Sequence, residues 1–218
     1  MFYAVRGNDT RTAKLLIEKG ADPNIKDNDG RSALALALYK NNIDTITLLI
    51  RKGADMNVKS RNGMSALMWA VQKGNTDVAK LLIGKGVDLN VNDDRGAAYI
   101  GNTNMAKLLI ESGADLDVED DEGGTALIWA AYNGNTSMAK LLIESGASLN
   151  IKDVYGKTAL IYSVQYTWTD VAQLLIEKGA DLNIKDNNGW CALRWTNDKR
   201  NVHISELLIE KGATIFIQ

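Results

Sequence analysis

Apolar and polar positions alternate along the chain in one phrase that recurs to the end. Its clearest copy is LLIEKGADLNIKD at 174–186, and the Leu-Leu-Ile triplets begin at 15, 48, 81, 108, 141, 174 and 207. Five of the six spacings are 33 residues and one is 27. A fixed period of this length marks stacked supersecondary units, each burying its faces only on its neighbours. Within the phrase, Leu-Leu-Ile is the apolar seam at the end of a helix. Lysines follow at Lys19, Lys52, Lys178 and Lys211, where a cation favours the helix C-terminus. Glycine comes next every time, at positions 20, 53, 86, 113, 146, 179 and 212, as a left-handed helix stop requires. Ala-Asp-x-Asn-Ile/Val-x-Asp is too polar and too short for another helix and predicts an extended finger turning at the next glycine.

A second segment fills the space between fingers: GRSALALALYKNN (30–42), GMSALMWAVQKGN (63–75), GGTALIWAAYNGN (123–135), GKTALIYSVQYTW (156–168) and GWCALRWTNDKRN (189–201). Ser32, Ser65, Thr125 and Thr158 are placed as N-caps of a short helix. Cys191 takes that position in the last segment, so its helix is expected to start less firmly. A Gly-Asn or similar turn then leads into the second helix. The pattern therefore predicts an all-α solenoid of about seven helix pairs in a single domain, 1–218. The units run approximately 1–26, 27–59, 60–92, 93–119, 120–152, 153–185 and 186–218.

The unit D-x-x-G-x-T-A-L-x-x-A-x-x-x-G-N-x-x-x-A-K-L-L-I-E-K-G-A-D-x-N resembles the ankyrin repeat, and the resemblance covers essentially all 218 residues. The T-A-L-x-W-A wording is similar to bacterial-type members. The resemblance implies helix pairs with β-turn fingers projecting at right angles, and recognition of a protein partner by fingertips and the concave face of the first helices. Three departures stand out. The family's T-P-L-H is here S/T-A-L-x. The proline's pre-set φ is lost. So are the histidine's polar ties between units, which leaves the first helices to apolar packing. In DDRGAAYIGNTNMAK (93–107) six residues are missing between Gly96 and Gly101, so unit 93–119 has a truncated first helix. The chain also begins inside a first helix, either as a cap or as a piece of a longer protein. The last unit is cap-like, its first helix made polar by Arg194, Asn197, Asp198, Lys199 and Arg200.

Composition narrows the function classes. A net charge of −2 and a pI near 5.5 carry no footprint of a nucleic-acid binder. No apolar run reaches the roughly 18 residues of a membrane span, and no signal segment opens the chain. One cysteine, Cys191, excludes an internal disulfide. A cytoplasmic, monomeric protein is expected, or a secreted or periplasmic one if the chain is cut from a processed precursor. The single histidine, His203, has no second ligand or nucleophile beside it and is expected to be an exposed polar residue. Cys191 replaces Ser or Thr, and the Asp pairs at 93–94 and 120–121 lie in finger turns with no calcium loop following. No catalytic residue, metal site or cofactor is expected, and the chain is not expected to be an enzyme.

Aromatic residues are the remaining candidates. One position of the first helix reads Tyr3, Leu36, Trp69, Trp129, Tyr162, Trp195; three residues on it reads Arg6, Tyr39, Gln72, Tyr132, Gln165, Asp198. Both lie on one helix face. Inter-helix packing accounts for the tryptophans as well as partner contact does. Tyr155 and Trp190 at the fingers have no such packing role in sequence and are assigned to partner contact, with Tyr166 in the turn after a first helix. The expected partner-binding set is Trp69, Trp129, Tyr132, Tyr155, Tyr162, Tyr166, Trp190 and Trp195, centred on 121–200. Two further readings follow: a peptide or small-molecule pocket between Trp69 and Trp129 where the helix is missing, and an architectural spacer in a longer protein.

Overall fold

Every Leu-Leu-Ile seam lies near the end of a helix in the computed structural model, which describes residues 1–57, 65–90, 102–199 and 201–214. Thirteen helices occur among the described residues. Six are short first helices: α1 (Phe2–Arg6), α3 (Ala33–Tyr39), α5 (Ala66–Gln72), α8 (Ala126–Tyr132), α10 (Ala159–Gln165) and α12 (Ala192–Lys199). Seven are second helices: α2 (Thr10–Glu18), α4 (Ile43–Arg51), α6 (Thr76–Ile83), α7 (Thr103–Glu111), α9 (Thr136–Glu144), α11 (Thr169–Glu177) and α13 (Val202–Glu210). The fold is an all-α solenoid of helix pairs.

Local chemistry sets each boundary. Ser32, Ser65, Thr125 and Thr158 accept the N–H three residues on, at 3.1, 3.2, 3.3 and 3.4 Å. Asn42, Asn75, Asn135 and Asn201 cap second helices in the same way. The helix stops are left-handed, as at Gly20 (φ +89°), where the next N–H, of Ala21, closes back on Leu16 O at 3.0 Å. Cys191 behaves differently from a cap hydroxyl: its buried thiol donates to Thr214 O at 3.9 Å.

Two compact units are formed, residues 1–94 with 111–114, and 95–110 with 115–218. In the first, α1, α3 and α5 pack in series, as do α2, α4 and α6, over Leu34, Ile46, Leu49 and Leu82. In the second, α8, α10 and α12 form one layer and α9, α11 and α13 the other, over Leu127, Leu142, Leu160, Leu175, Ile204 and Leu208. Burying each such side chain contributes roughly 1.5–3 kcal/mol before chain entropy is counted. In the unit expected to lack its first helix, α7 supplies the second helix. Residues 91–101 lie outside the described residues, and with them the truncated helix and the expected notch between Trp69 and Trp129.

Polar ties between repeats are more extensive than the absent histidine suggested. The finger asparagine, or Asp117 in its place, accepts a backbone N–H 31 residues on: Asn24 from Asp55 (2.7 Å), Asn57 from Asp88 (3.0 Å), Asp117 from Ser148 (2.9 Å), Asn150 from Asp181 (2.8 Å) and Asn183 from Thr214 (2.9 Å). The rows run at the base of the fingers, so the first helices were not the only place such ties could form.

Among the described residues, the turn between helices carries one strained residue. Asn8, Asn41, Gly74 and Gly134 take positive φ there, residue types that tolerate it. The equivalent residue before α11 is Thr167 at φ +61°, β-branched and poorly suited to that region. Thr167→Gly is expected to raise stability by about 1 kcal/mol, after the backbone entropy of glycine is allowed for. The measurement is the urea midpoint at unchanged m. A lowered midpoint means that the Thr167 Oγ1 bond to Tyr166 O, 2.6 Å, outweighs the strain.

Candidate aromatic recognition surface

Three fingers of the second unit turn on a buried aspartate. Asp120 Oδ1 accepts the N–H groups of Glu122 (2.9 Å) and Gly124 (2.7 Å), and its Oδ2 accepts Trp129 Nε1–H at 2.7 Å. Asp153 accepts Tyr155 N–H (2.9 Å), Lys157 N–H (2.8 Å) and the Tyr162 hydroxyl. Asp186 accepts Asn188 N–H (2.9 Å), Trp190 N–H (2.9 Å) and Trp195 Nε1–H (3.1 Å). The rule is an aspartate with a donor-bearing aromatic nine residues on. It locks the finger to its own first helix. Burial pushes the Tyr162 hydroxyl well above its usual range, and the bond to Asp153 pushes it further.

Where the aromatic has no donor, another group replaces it. Asp27 faces Leu36 in this register, and Arg31 N–H (2.9 Å) and Nε–H (3.0 Å) bind it instead, with Arg6 3.7 Å away. Burial opposes the charge on Asp27, but the bonds from Arg31 outweigh it and hold the carboxyl below the usual range. Among the described residues, Trp69 Nε1 is buried without a hydrogen-bond partner, and the residue nine before it in sequence is Ser60 rather than Asp.

The residues expected to bind a partner thus divide. Trp129, Tyr162 and Trp195 are tied to their fingers, and Tyr162 is buried. Trp190, expected at a fingertip without packing partners, is half-buried, with its ring 4.9 Å from Trp195 and the Arg194 guanidinium 4.7 Å over it. Its position directly after the finger glycine points it back along α12. Trp69 meets Tyr39 edge-on at 5.8 Å. Tyr132, Tyr155 and Tyr166 remain exposed, at 38, 52 and 39 %. Alanine at Trp129, Tyr162 or Trp195 would release a finger as well as remove a surface, so those positions are poor reporters of binding.

Tyr132 and Tyr166 meet in one cluster of the second unit, and Tyr155 lines the cleft beside it. Tyr132 lies 5.4 Å from Trp129, 5.5 Å from Tyr162 and 4.8 Å from Tyr166, in edge-on arrangements. The Tyr166 hydroxyl is pushed up, first by its hydrogen bond with Tyr132 and then by burial. Trp168 extends the cluster, a role not assigned to it from sequence. It stands where other second helices carry an asparagine cap and makes no side-chain cap bond. Its indole instead donates to Tyr132 O at 3.0 Å and covers Gly134, where an added Cβ would come within 2.5 Å of the ring. The signal in sequence was Tyr-Thr-Trp standing in the Gly-Asn turn. A cleft of about 280 Å³ opens beside the cluster, lined by Trp129, Tyr132, Tyr162, Gly124, Glu122 and Lys157 among others.

Other chemistry stays apart. His203 is exposed, and among the described residues no group of three or more His, Cys, Asp or Glu is placed to hold a metal ion. No helix among them is long and apolar enough to cross a membrane.

Stacked helix pairs with aspartate-locked fingers define a repeat scaffold. The family model for ankyrin repeats matches residues 1–93, 96–186 and 153–218, and the chain belongs to the ankyrin-repeat family, whose repeats are generally protein–protein interaction modules. The structure is similar to the crystal structure of the ankyrin repeat domain of Bcl-3, described as a unique member of the IkappaB protein family. The TM-score is 0.82 at 25% identity, covering 95% of this chain and 96% of that one. No curated protein matches the sequence.

Proposed function

We propose that the whole chain, 1–218, is one non-catalytic scaffold that binds a partner protein through the face of its first helices and fingers between 121 and 200. The observation that carries this is the cluster Tyr132–Tyr155–Tyr166–Trp168. Its members keep 38–52 % of their surface exposed. Two local rules kept at the other described positions are broken beside it, glycine or asparagine at the left-handed turn and an asparagine or aspartate side chain at the second-helix cap. Departures from local consistency concentrate at functional sites. Aromatic rings with a polar handle are the residues most enriched among interface hot spots. The aromatics tied to the fingers behind them, Trp129, Tyr162 and Trp195, hold the surface in shape, and the Trp69 and Trp190 rings serve packing in the same way.

The test is retention of partner from an extract of the organism that encodes the chain. Wild type is expected to retain a specific protein. Tyr155→Ala/Tyr166→Ala, exposed at both positions, should lower its affinity at least tenfold with an unchanged circular dichroism spectrum and thermal midpoint. Equal retention by the double variant would sink the assignment to this face.

A further inference from the structure

The gap between successive first helices repeats along the second unit, but what fills it changes. Lys157, four residues after Asp153, lies between the aromatic of its own unit and that of the next. Its Nζ is 5.2 Å from the Tyr162 ring centroid and 5.1 Å from that of Trp195, and it donates to Gln165 Oε1 at 2.6 Å. An ammonium held between two ring faces is a stabilised cation. Here the chain itself supplies it.

One repeat earlier the residue equivalent to Lys157 is Gly124. Nothing larger fits there: an added Cβ would come within 2.5 Å of Trp129 Nε1 and 3.0 Å of Asp120 Oδ2. The equivalent gap, between Trp129 and Tyr162, therefore receives no side chain from this position; the Tyr132 ring reaches both neighbours there, 5.4 and 5.5 Å away, and the cleft opens beside the three rings. Its volume of about 280 Å³ falls just short of the roughly 300–1,000 Å³ of clefts that enclose a drug-sized ligand, and suits one inserted side chain.

Charge selects what that side chain is. Glu122 and Asp153 line the cleft against the one cation of Lys157, whose ammonium is turned to Gln165 and Trp195. The finger leading to the cleft reads Asp-Leu-Asp-Val-Glu-Asp-Asp-Glu over 115–122. Four other fingers carry a lysine, at Lys26, Lys59, Lys152 and Lys185, where this one has Glu119. An aromatic wall, an acidic finger and glycine in place of the lysine coincide at this cleft.

We propose that the cleft beside Gly124 binds the cationic side chain, lysine ammonium or arginine guanidinium, of a basic segment in a partner protein, seated against the Trp129, Tyr132 and Tyr162 rings as Lys157 is seated against Tyr162 and Trp195. This rests on the scaffold function proposed above and names the chemistry of its partner.

Three nine-residue glycine–serine peptides test it on the full chain, with Arg-Lys-Arg, Glu-Asp-Glu or Gln-Gln-Gln at the centre. The Trp129 indole N–H resonance reports binding at the cleft. The basic peptide alone is expected to shift it in a saturable way, about tenfold more weakly in Tyr132→Leu and at least threefold more weakly in Glu122→Gln. Glu210→Gln, an equal charge change on α13, should leave the affinity alone. Glu122→Gln lies at the surface and carries the test if Tyr132→Leu does not fold. Equal weakening by Glu122→Gln and Glu210→Gln would mean diffuse attraction and overturn the site. Binding of the acidic or neutral peptide with a Trp129 shift would keep the surface but overturn the cation. No binding of any peptide at millimolar concentration also overturns the cation site, and retention of the natural partner then decides the scaffold reading on its own.

Discussion

Asp153→Ala is expected to lose about 3 kcal/mol of folding stability, the largest effect of any substitution considered for this chain. Asp153 is only 8 % exposed, and three donors converge on its carboxylate: the N–H groups of Tyr155 and Lys157 and the Tyr162 hydroxyl. A hydrogen bond to a charged group is worth roughly 1.5–3 kcal/mol net, and a buried donor left unpaired costs about 1–3 kcal/mol. Three such bonds do not add in full, because exposed Tyr155 can recover water and the finger can relax. Urea denaturation with the linear extrapolation measures the loss. Tyr162→Phe removes only the third donor and should cost about 1 kcal/mol. In the double variant the two losses should not sum, because both remove the same bond. A loss below 1 kcal/mol in Asp153→Ala, or full additivity with Tyr162→Phe, would show that the aspartate–aromatic tie is not what holds the finger.

Ser60→Asp should do the reverse and stabilise the chain by about 2 kcal/mol. Residue 60 stands nine positions before Trp69, the separation of Asp120 from Trp129, Asp153 from Tyr162 and Asp186 from Trp195. Trp69 Nε1 is the donor left without a partner, a deficit of roughly 1–3 kcal/mol. By the sequence spacing shared with those three fingers, a carboxylate at 60 is expected to offer it an acceptor. The thermal midpoint should rise, and the Trp69 indole N–H should become the more slowly exchanging with solvent. Ser60→Ala, which lacks an acceptor, should not stabilise. An unchanged or lower midpoint for Ser60→Asp would mean that the nine-residue rule does not extend to this finger.

These two substitutions show what kind of signal was readable in advance. The nine-residue aspartate–aromatic spacing is visible in the bare sequence at 120, 153 and 186, and its failure is visible at 60. It passes unnoticed because a separation of nine matches no helical or strand period and acquires meaning only when a finger folds back onto a helix. The aromatic series Trp129, Tyr162, Trp195 was correctly placed on one face, yet its polar edges turn to the fingers. Trp190 was read as a free fingertip, although a residue directly after the finger glycine can reach along the first helix, as Lys157 does to Gln165. Trp168 was seen only as one more aromatic, because its partner, the Tyr132 carbonyl, lies 36 residues away in sequence.

By itself the sequence determined the repeat, the helix pairs, their caps and stops, and so the family. Each depends on interactions within a few residues, and a period of 33 writes those interactions out again in every unit. Tertiary structure alone decided which aromatics became struts and which stayed on the surface, and that a cleft opens beside Gly124. Those outcomes turn on contacts between one repeat and the next, where a missing side chain counts only against the neighbour that it would have touched.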